Sequence, residues 1–176
     1  MNNINKKILI SYFSRRGKNY LDGKVVTLDV GNTEVIAHKI QKLTGGDLFE
    51  IRTKQQYPVE YIETTRVAKN ELRSNARPEL AEYVKNMEDY EVVYLGYPNW
   101  WGTFPMAVFT FLESADFSGK TIIPFCTHEG SGIGFSERDV RLLCPDATCL
   151  TGIAIRGGRV ATADAQLAEW HEKMGI

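Results

Sequence analysis

Three short segments carry most of this chain's capacity for chemistry. Tyr97-Pro98-Asn99-Trp100-Trp101-Gly102-Thr103 follows the apolar run Val92 to Gly96. A proline, an amide, two adjacent indoles and a glycine make a poor core segment but a good aromatic wall for a flat heteroaromatic ligand. Thr127-His128-Glu129-Gly130-Ser131-Gly132 follows a second apolar run. Its glycines permit close backbone approach, and its hydroxyls and imidazole offer donors to polar ring edges. Ser14, Arg15 and Arg16 follow a third run, with Gly31-Asn32-Thr33 further on at the start of a predicted helix. Helix-terminal amides, the positive helix end and nearby hydroxyls suit an anion such as a phosphate. Each segment alone also has a plainer reading: a helix cap with solvated arginines, two packing indoles, a turn with a solvated His128.

The elements that must position these segments alternate in type. Apolar, β-branched runs of strand length cover Lys7 to Phe13, Val92 to Tyr97, Thr121 to Cys126 and Thr148 to Ile155, with Asp47 to Arg52 a weaker fifth. Between them fall helical periods: Val35, Ile36, Ile40 and Leu43; Tyr61, Thr65, Ala68 and Leu72; Ala107, Phe109 and Leu112. Gly45-Gly46 stops the first helix, and Leu167, Trp170 and Met174 stripe the last, for which Thr162 is the expected cap. Five strands with intervening helices read as an open parallel sheet covered on both faces. Ligands of such sheets sit beyond the carboxyl ends of the strands, near the switch in strand order. The stretch from Arg16 to Val30 exceeds the usual strand-to-helix loop and is an insertion. Its Val25-Val26-Thr27-Leu28 segment is expected to form an extended piece or a flap over the site.

Bulk properties narrow the function classes. The chain has 176 residues, 43% of them hydrophobic, which fits a single domain over 1–176. A formal net charge of -1 gives no footprint for nucleic acid or an anionic membrane, so neither is expected as a partner. The apolar stretch Ile8 to Phe13 is too brief for a membrane span or a signal core, and the expected location is cytoplasmic. Cys126, Cys144 and Cys149 lack metal-ligand spacing, so no metal site is expected and the thiols read as ordinary buried groups. Gly119-Lys120-Thr121 enters a strand instead of a helix, and Gly130 to Phe135 has Phe where a dinucleotide fingerprint needs its third glycine.

Tyr12-Phe13-Ser14-Arg15 with Gly31-Asn32-Thr33, Pro98 to Thr103, and Phe125 to Gly132, in that order at successive strand ends, resemble the flavodoxin-like family. The resemblance covers essentially the whole chain. It implies a three-layer, doubly wound α/β fold with a five-stranded parallel sheet in the order 2-1-3-4-5, and non-covalently bound FMN. Carried over residue by residue, the phosphate loop maps to Ser14, Arg15, Asn32 and Thr33. The flavin loops map to Pro98, Asn99, Trp100, Trp101, Gly102 and Thr103, and to Thr127, His128, Glu129, Gly130, Ser131 and Gly132. No catalytic acid or base is required of an electron carrier. The insertion interrupts the family's first loop, so whether Arg16, Gly17 or Lys18 also touches phosphate stays open. Two roles follow: electron transfer with a redox partner protein, or NAD(P)H-dependent reduction of a quinone or related acceptor, with His128 and Glu129 as candidate proton donors. The near-neutral charge supplies little of the steering that acidic carriers use. A phospho-receiver would want acidic residues where this chain has Phe13-Ser14 and Pro98-Asn99.

Overall fold

A computed structural model describes residues 6–176. Its centre is a parallel sheet built from β1 (Ile8–Tyr12), β4 (Asp47–Glu50), β5 (Val92–Pro98), β6 (Thr121–His128) and a last strand in two pieces, β7 (Thr148–Cys149) and β8 (Ile153–Arg156). The order is β4-β1-β5-β6-β7, with β8 also on β6. Counting β7 and β8 as one, this is the expected 2-1-3-4-5. β2 (Gly17–Leu21) and β3 (Lys24–Leu28) form a separate antiparallel hairpin, which is the insertion.

Alternation along β5 shows how both faces are covered. Val93, Leu95 and Tyr97 enter one core with residues of α3 (Met106–Glu113) and α4 (Ser136–Leu143). Val92 and Tyr94 enter the other with α1 (Asn32–Thr44) and α5 (Asp164–Met174). A strand whose residues are buried on both sides reads as a continuous apolar run, which is why β1, β5 and β6 stand out in the sequence. α2 (Tyr61–Arg73) packs beside α3.

The run Thr148 to Ile155 is not the single strand its composition suggests, and the cause lies in its neighbour. The carbonyls of Lys120 and Ile122 accept from Thr148 and Leu150, so even-numbered residues of β6 face the last strand. The next of these is Pro124, which has no N–H to give. Pairing resumes only at Phe125 and Ile153, with one more residue on the outer strand than on β6. Two further expectations are corrected. α5 begins at Asp164 after a 3-10 turn over Gly157–Thr162, so Thr162 ends the turn and does not cap the helix. α4 has no counterpart in the predicted helices: it is only eight residues long, and of these only Ser136, Asp139 and Val140 are buried.

Candidate functional site

The site is built where β1, β5 and β6 end, at the switch in strand order. Phe13 donates its amide to Gly96 O at 2.9 Å, and then Ser14 turns toward α1. The Ser14 hydroxyl accepts the Glu34 amide at 3.1 Å and so caps α1 from outside. Val35 takes the Gly31 carbonyl, which leaves the first-turn amides of Asn32 and Thr33 without intrahelical partners. Gly31 is needed for close approach: a Cβ there would stand 2.2 Å from Ser14 Oγ and 2.7 Å from Arg15 O. The Thr33 hydroxyl is buried against that of Thr127 at 2.8 Å, joining the first loop to the third.

Arg15 is engaged elsewhere. Its guanidinium donates to Lys18 O, to Pro58 O at 2.9 Å, to Val59 O at 2.8 Å and to the Thr64 hydroxyl at 3.1 Å. It braces the hairpin base against the start of α2. Arg16 forks onto Glu34 at 2.8 and 3.0 Å, and Lys18 pairs with Glu60 at 2.6 Å, so both serve the insertion. Tyr20 stacks on Tyr61 with ring centroids 5.9 Å apart, and the Asp22 amide at the tip donates to Glu129 Oε2 at 3.0 Å. The hairpin thus spans the mouth from α2 to the third loop.

The second loop is tied by Asn99. Its amide nitrogen donates to Gly132 O at 2.8 Å while its oxygen accepts the Gly102 amide at 2.9 Å. Trp100 pairs backbone bonds with Thr103 and sets its ring edge-on to Phe13 and Tyr57 at 5.2 and 5.1 Å. Trp101 between them adopts φ +58, a left-handed conformation costing a non-glycine residue about 1–2 kcal/mol. Thr103 is buried and donates to Asp139 at 2.6 Å. Loops two and three touch at Gly134, where a Cβ would meet Gly102 O at 2.2 Å.

In the third loop, His128 Nδ1 accepts the Gly130 amide at 2.9 Å, which places any proton of the neutral ring on Nε2. Burial lowers the His128 pKa below the ordinary value of 6.5. Glu129 is the unusual member. Its Oε1 is buried with no hydrogen-bond partner, the one such side-chain atom among the described residues. It lies beside Gly157 and the Asn32 amide group, since a Cβ on Gly157 would meet these atoms at 2.2 and 2.6 Å.

The loops enclose a cleft of about 370 Å³ lined by Ser14, Arg15, Asn32, Thr33, Pro98, Asn99, Trp100, Thr127, His128, Glu129 and Ser131. Gly102, Thr103, Gly130 and Gly132 do not line it; they hold the loop backbones in shape. Asn19, Tyr20 and Tyr61 do line it and were missed by sequence reasoning, because the hairpin and α2 bring them in from outside the strand ends. Trp101 lies apart, on an adjoining cleft.

The family model described as flavodoxin matches residues 7–174. The chain belongs to the flavodoxin family. Among solved structures, the chain is similar to a candidate flavoprotein from Bacteroides eggerthii, with 28% identity, a TM-score of 0.78, and coverage of 97% of this chain and 98% of that one. A flavoprotein from Lactobacillus acidophilus in complex with FMN matches with 19% identity and a TM-score of 0.67, covering 94% and 99% of the two chains. A Fusobacterium nucleatum flavodoxin bound to flavin mononucleotide matches with 15% identity and a TM-score of 0.56, covering 97% of each. The last two likenesses speak to the fold. No curated protein matches the chain. Among the described residues, no helix is long and apolar enough to cross a membrane.

Proposed function

We propose that this protein holds FMN non-covalently in the three-loop cleft and acts as an electron-transfer flavoprotein. The observation that carries the reading is Glu129 Oε1, a buried carboxylate oxygen with no donor, set in a cleft with open helix amides at one end and Trp100 along its side. A carboxylate is a poor neighbour for a phosphate but a good acceptor for a hydroxyl. FMN carries both groups on one chain, so the donor set fits it: the Ser14 hydroxyl with the Asn32 and Thr33 amides for the phosphate, and Glu129 for a ribityl hydroxyl. The segments Pro98 to Trp100 and His128 to Ser131 would flank the ring. Bound FMN would supply the capacity to take up and release electrons, which no side chain of the cleft has.

The chain's own part is to bind, orient and shield. Phe13 and Tyr57 fix the Trp100 ring, and Asn99 locks the second loop to the third. His128 is held neutral at neutral pH by burial, so it offers hydrogen bonds without adding charge. A second reading, NAD(P)H-dependent reduction of a quinone or related acceptor, draws support from the adjoining cleft. The absorption spectrum tests both. Protein mixed with FMN and passed through a sizing column should retain flavin bands, and a colourless protein would sink the proposal. Addition of NADPH or NADH without oxygen should leave the bands unchanged for a carrier served by a protein donor and bleach them for a reductase.

A further inference from the structure

The second cleft, of about 390 Å³, shares Arg15, Asn19, Tyr61, Asn99 and Trp100 with the first and adds Thr64, Thr65, Ala68 and Trp101. We propose that it is a binding site for a flat, neutral, carbonyl-bearing ring of the quinone class, seated beside the flavin cleft, with Trp101 as its wall and the Tyr61 hydroxyl as its donor. The proposal rests on the FMN reading for its place in electron transfer, though not for binding itself.

Trp101 is the central observation. Its indole is 50% exposed, so it contributes little to the core, yet its backbone is kept at φ +58. Three contacts hold it there. The indole N–H donates to Thr65 O at 3.0 Å, the Lys69 ammonium lies 4.7 Å from the ring centroid, and the flanking Trp100 and Thr103 are bonded through their backbones. A large ring kept rigid, half-exposed and in a strained backbone at the rim of a cleft is a feature of ligand walls. Trp101 lines only this cleft, which separates it from the Trp100 that both clefts share.

The remaining lining sets the ligand's chemistry. The volume lies within the range of small-molecule sites. Arg15 is the one charged side chain among the lining residues, and its donors are taken by Lys18, Pro58, Val59 and Thr64, so the lining itself offers an anionic group no free partner, and the Lys69 ammonium lies over the Trp101 ring outside it. The hydroxyls of Thr64 and Thr65 donate to carbonyls of their own helix region. The Tyr61 hydroxyl has no hydrogen-bond partner among the described residues, and burial raises its pKa, so it stays a neutral donor. One unspent O–H between aromatic walls suits a ring carbonyl.

The test uses 2-methyl-1,4-naphthoquinone as probe, with binding measured by equilibrium dialysis against FMN-loaded and FMN-free protein. Trp101→Gly removes the indole and suits the positive φ, so it should fold at least as well as the parent. It should weaken quinone binding about tenfold or more and leave FMN affinity within about twofold. Trp101→Phe should restore most of the quinone affinity, and Tyr61→Phe should lower it several-fold. No quinone binding, or equal binding by the Trp101→Gly protein, overturns the proposal. A parallel fall in FMN affinity in that variant also overturns it, since Trp101 would then belong to the flavin. If the protein holds no FMN but binds quinone in a Trp101-dependent way, the cofactor reading fails and the second site stands.

Discussion

Replacing Gly31 by alanine tests whether the first loop is shaped by close approach. The φ of Gly31 is -68 and its ψ 151, values open to any residue, so backbone strain plays no part. What matters is space: the new methyl would sit 2.2 Å from Ser14 Oγ, 2.7 Å from Arg15 O and 3.0 Å from Arg15 C. Ser14 Oγ is the acceptor that caps α1 through the Glu34 amide, so displacing it forfeits about 0.5–2 kcal/mol. Moving the Arg15 backbone adds an overpacking cost of about 1–3 kcal/mol. The sum is about 1.5–5 kcal/mol. With a urea slope of about 2 kcal/mol/M, the unfolding midpoint should fall by about 0.8–2.5 M. FMN affinity, followed by flavin fluorescence, should fall about tenfold or more as Ser14 leaves the cleft. A double-mutant cycle isolates the cause: in a Ser14→Ala background the nearest clash is gone, and Gly31→Ala should cost at least about 1 kcal/mol less. Additive effects in that cycle, or a Gly31→Ala protein within about 0.5 kcal/mol of the parent, would refute the reasoning.

Other consequences are smaller but as direct. Thr103→Val keeps the shape and removes the 2.6 Å bond to the buried Asp139, which should cost about 1.5–3 kcal/mol by urea unfolding. Because burial depresses the His128 pKa below 6.5, the unfolded chain protonates this site first as pH falls. The site's contribution to stability is therefore present above that range and lost below it. His128→Asn, compared with the parent at about pH 8 and about pH 5.5, should reduce the acid loss of stability; an unchanged difference would remove His128 from the account. Burial pushes the Cys126 thiol up to about 12, Cys144 up to about 11 and Cys149 above its ordinary value. All three should resist an aromatic disulfide reagent at about pH 8 until the protein is denatured.

How far the sequence reads through to structure depends on where the determining contacts lie. β1, β5 and β6 were legible because residues buried on both faces leave an unbroken apolar run. The split between β7 and β8 was not, because the missing donor belongs to Pro124 on the adjacent strand. α1 ended where Gly45 takes the left-handed turn, at φ 69, as its sequence suggested. In the site, the three loops were legible from their places after the apolar runs and from their order along the chain, since each alone also has a plainer reading. Tyr20 and Tyr61 were not: one lies in a hairpin whose placement is set by Arg15, Arg16 and Lys18, and the other is read from its period as part of a packing stripe. In that helix Thr64 and Ala68 are the buried positions, and Tyr61 and Thr65 line the second cleft together with them.

The interruption opposite Pro124 has a meaning for the molecule among its own copies. An open sheet has two outer strands, and a long regular one offers its free amides and carbonyls to any extended chain that drifts alongside. Here one margin, β4, is four residues long, and the other is cut into pieces of two and four by the stretch Leu150 to Gly152. Neither presents a ladder long enough to template further strands. The proline that costs this protein a link in its own sheet thereby helps to keep crowded, newly made chains from stacking edge to edge.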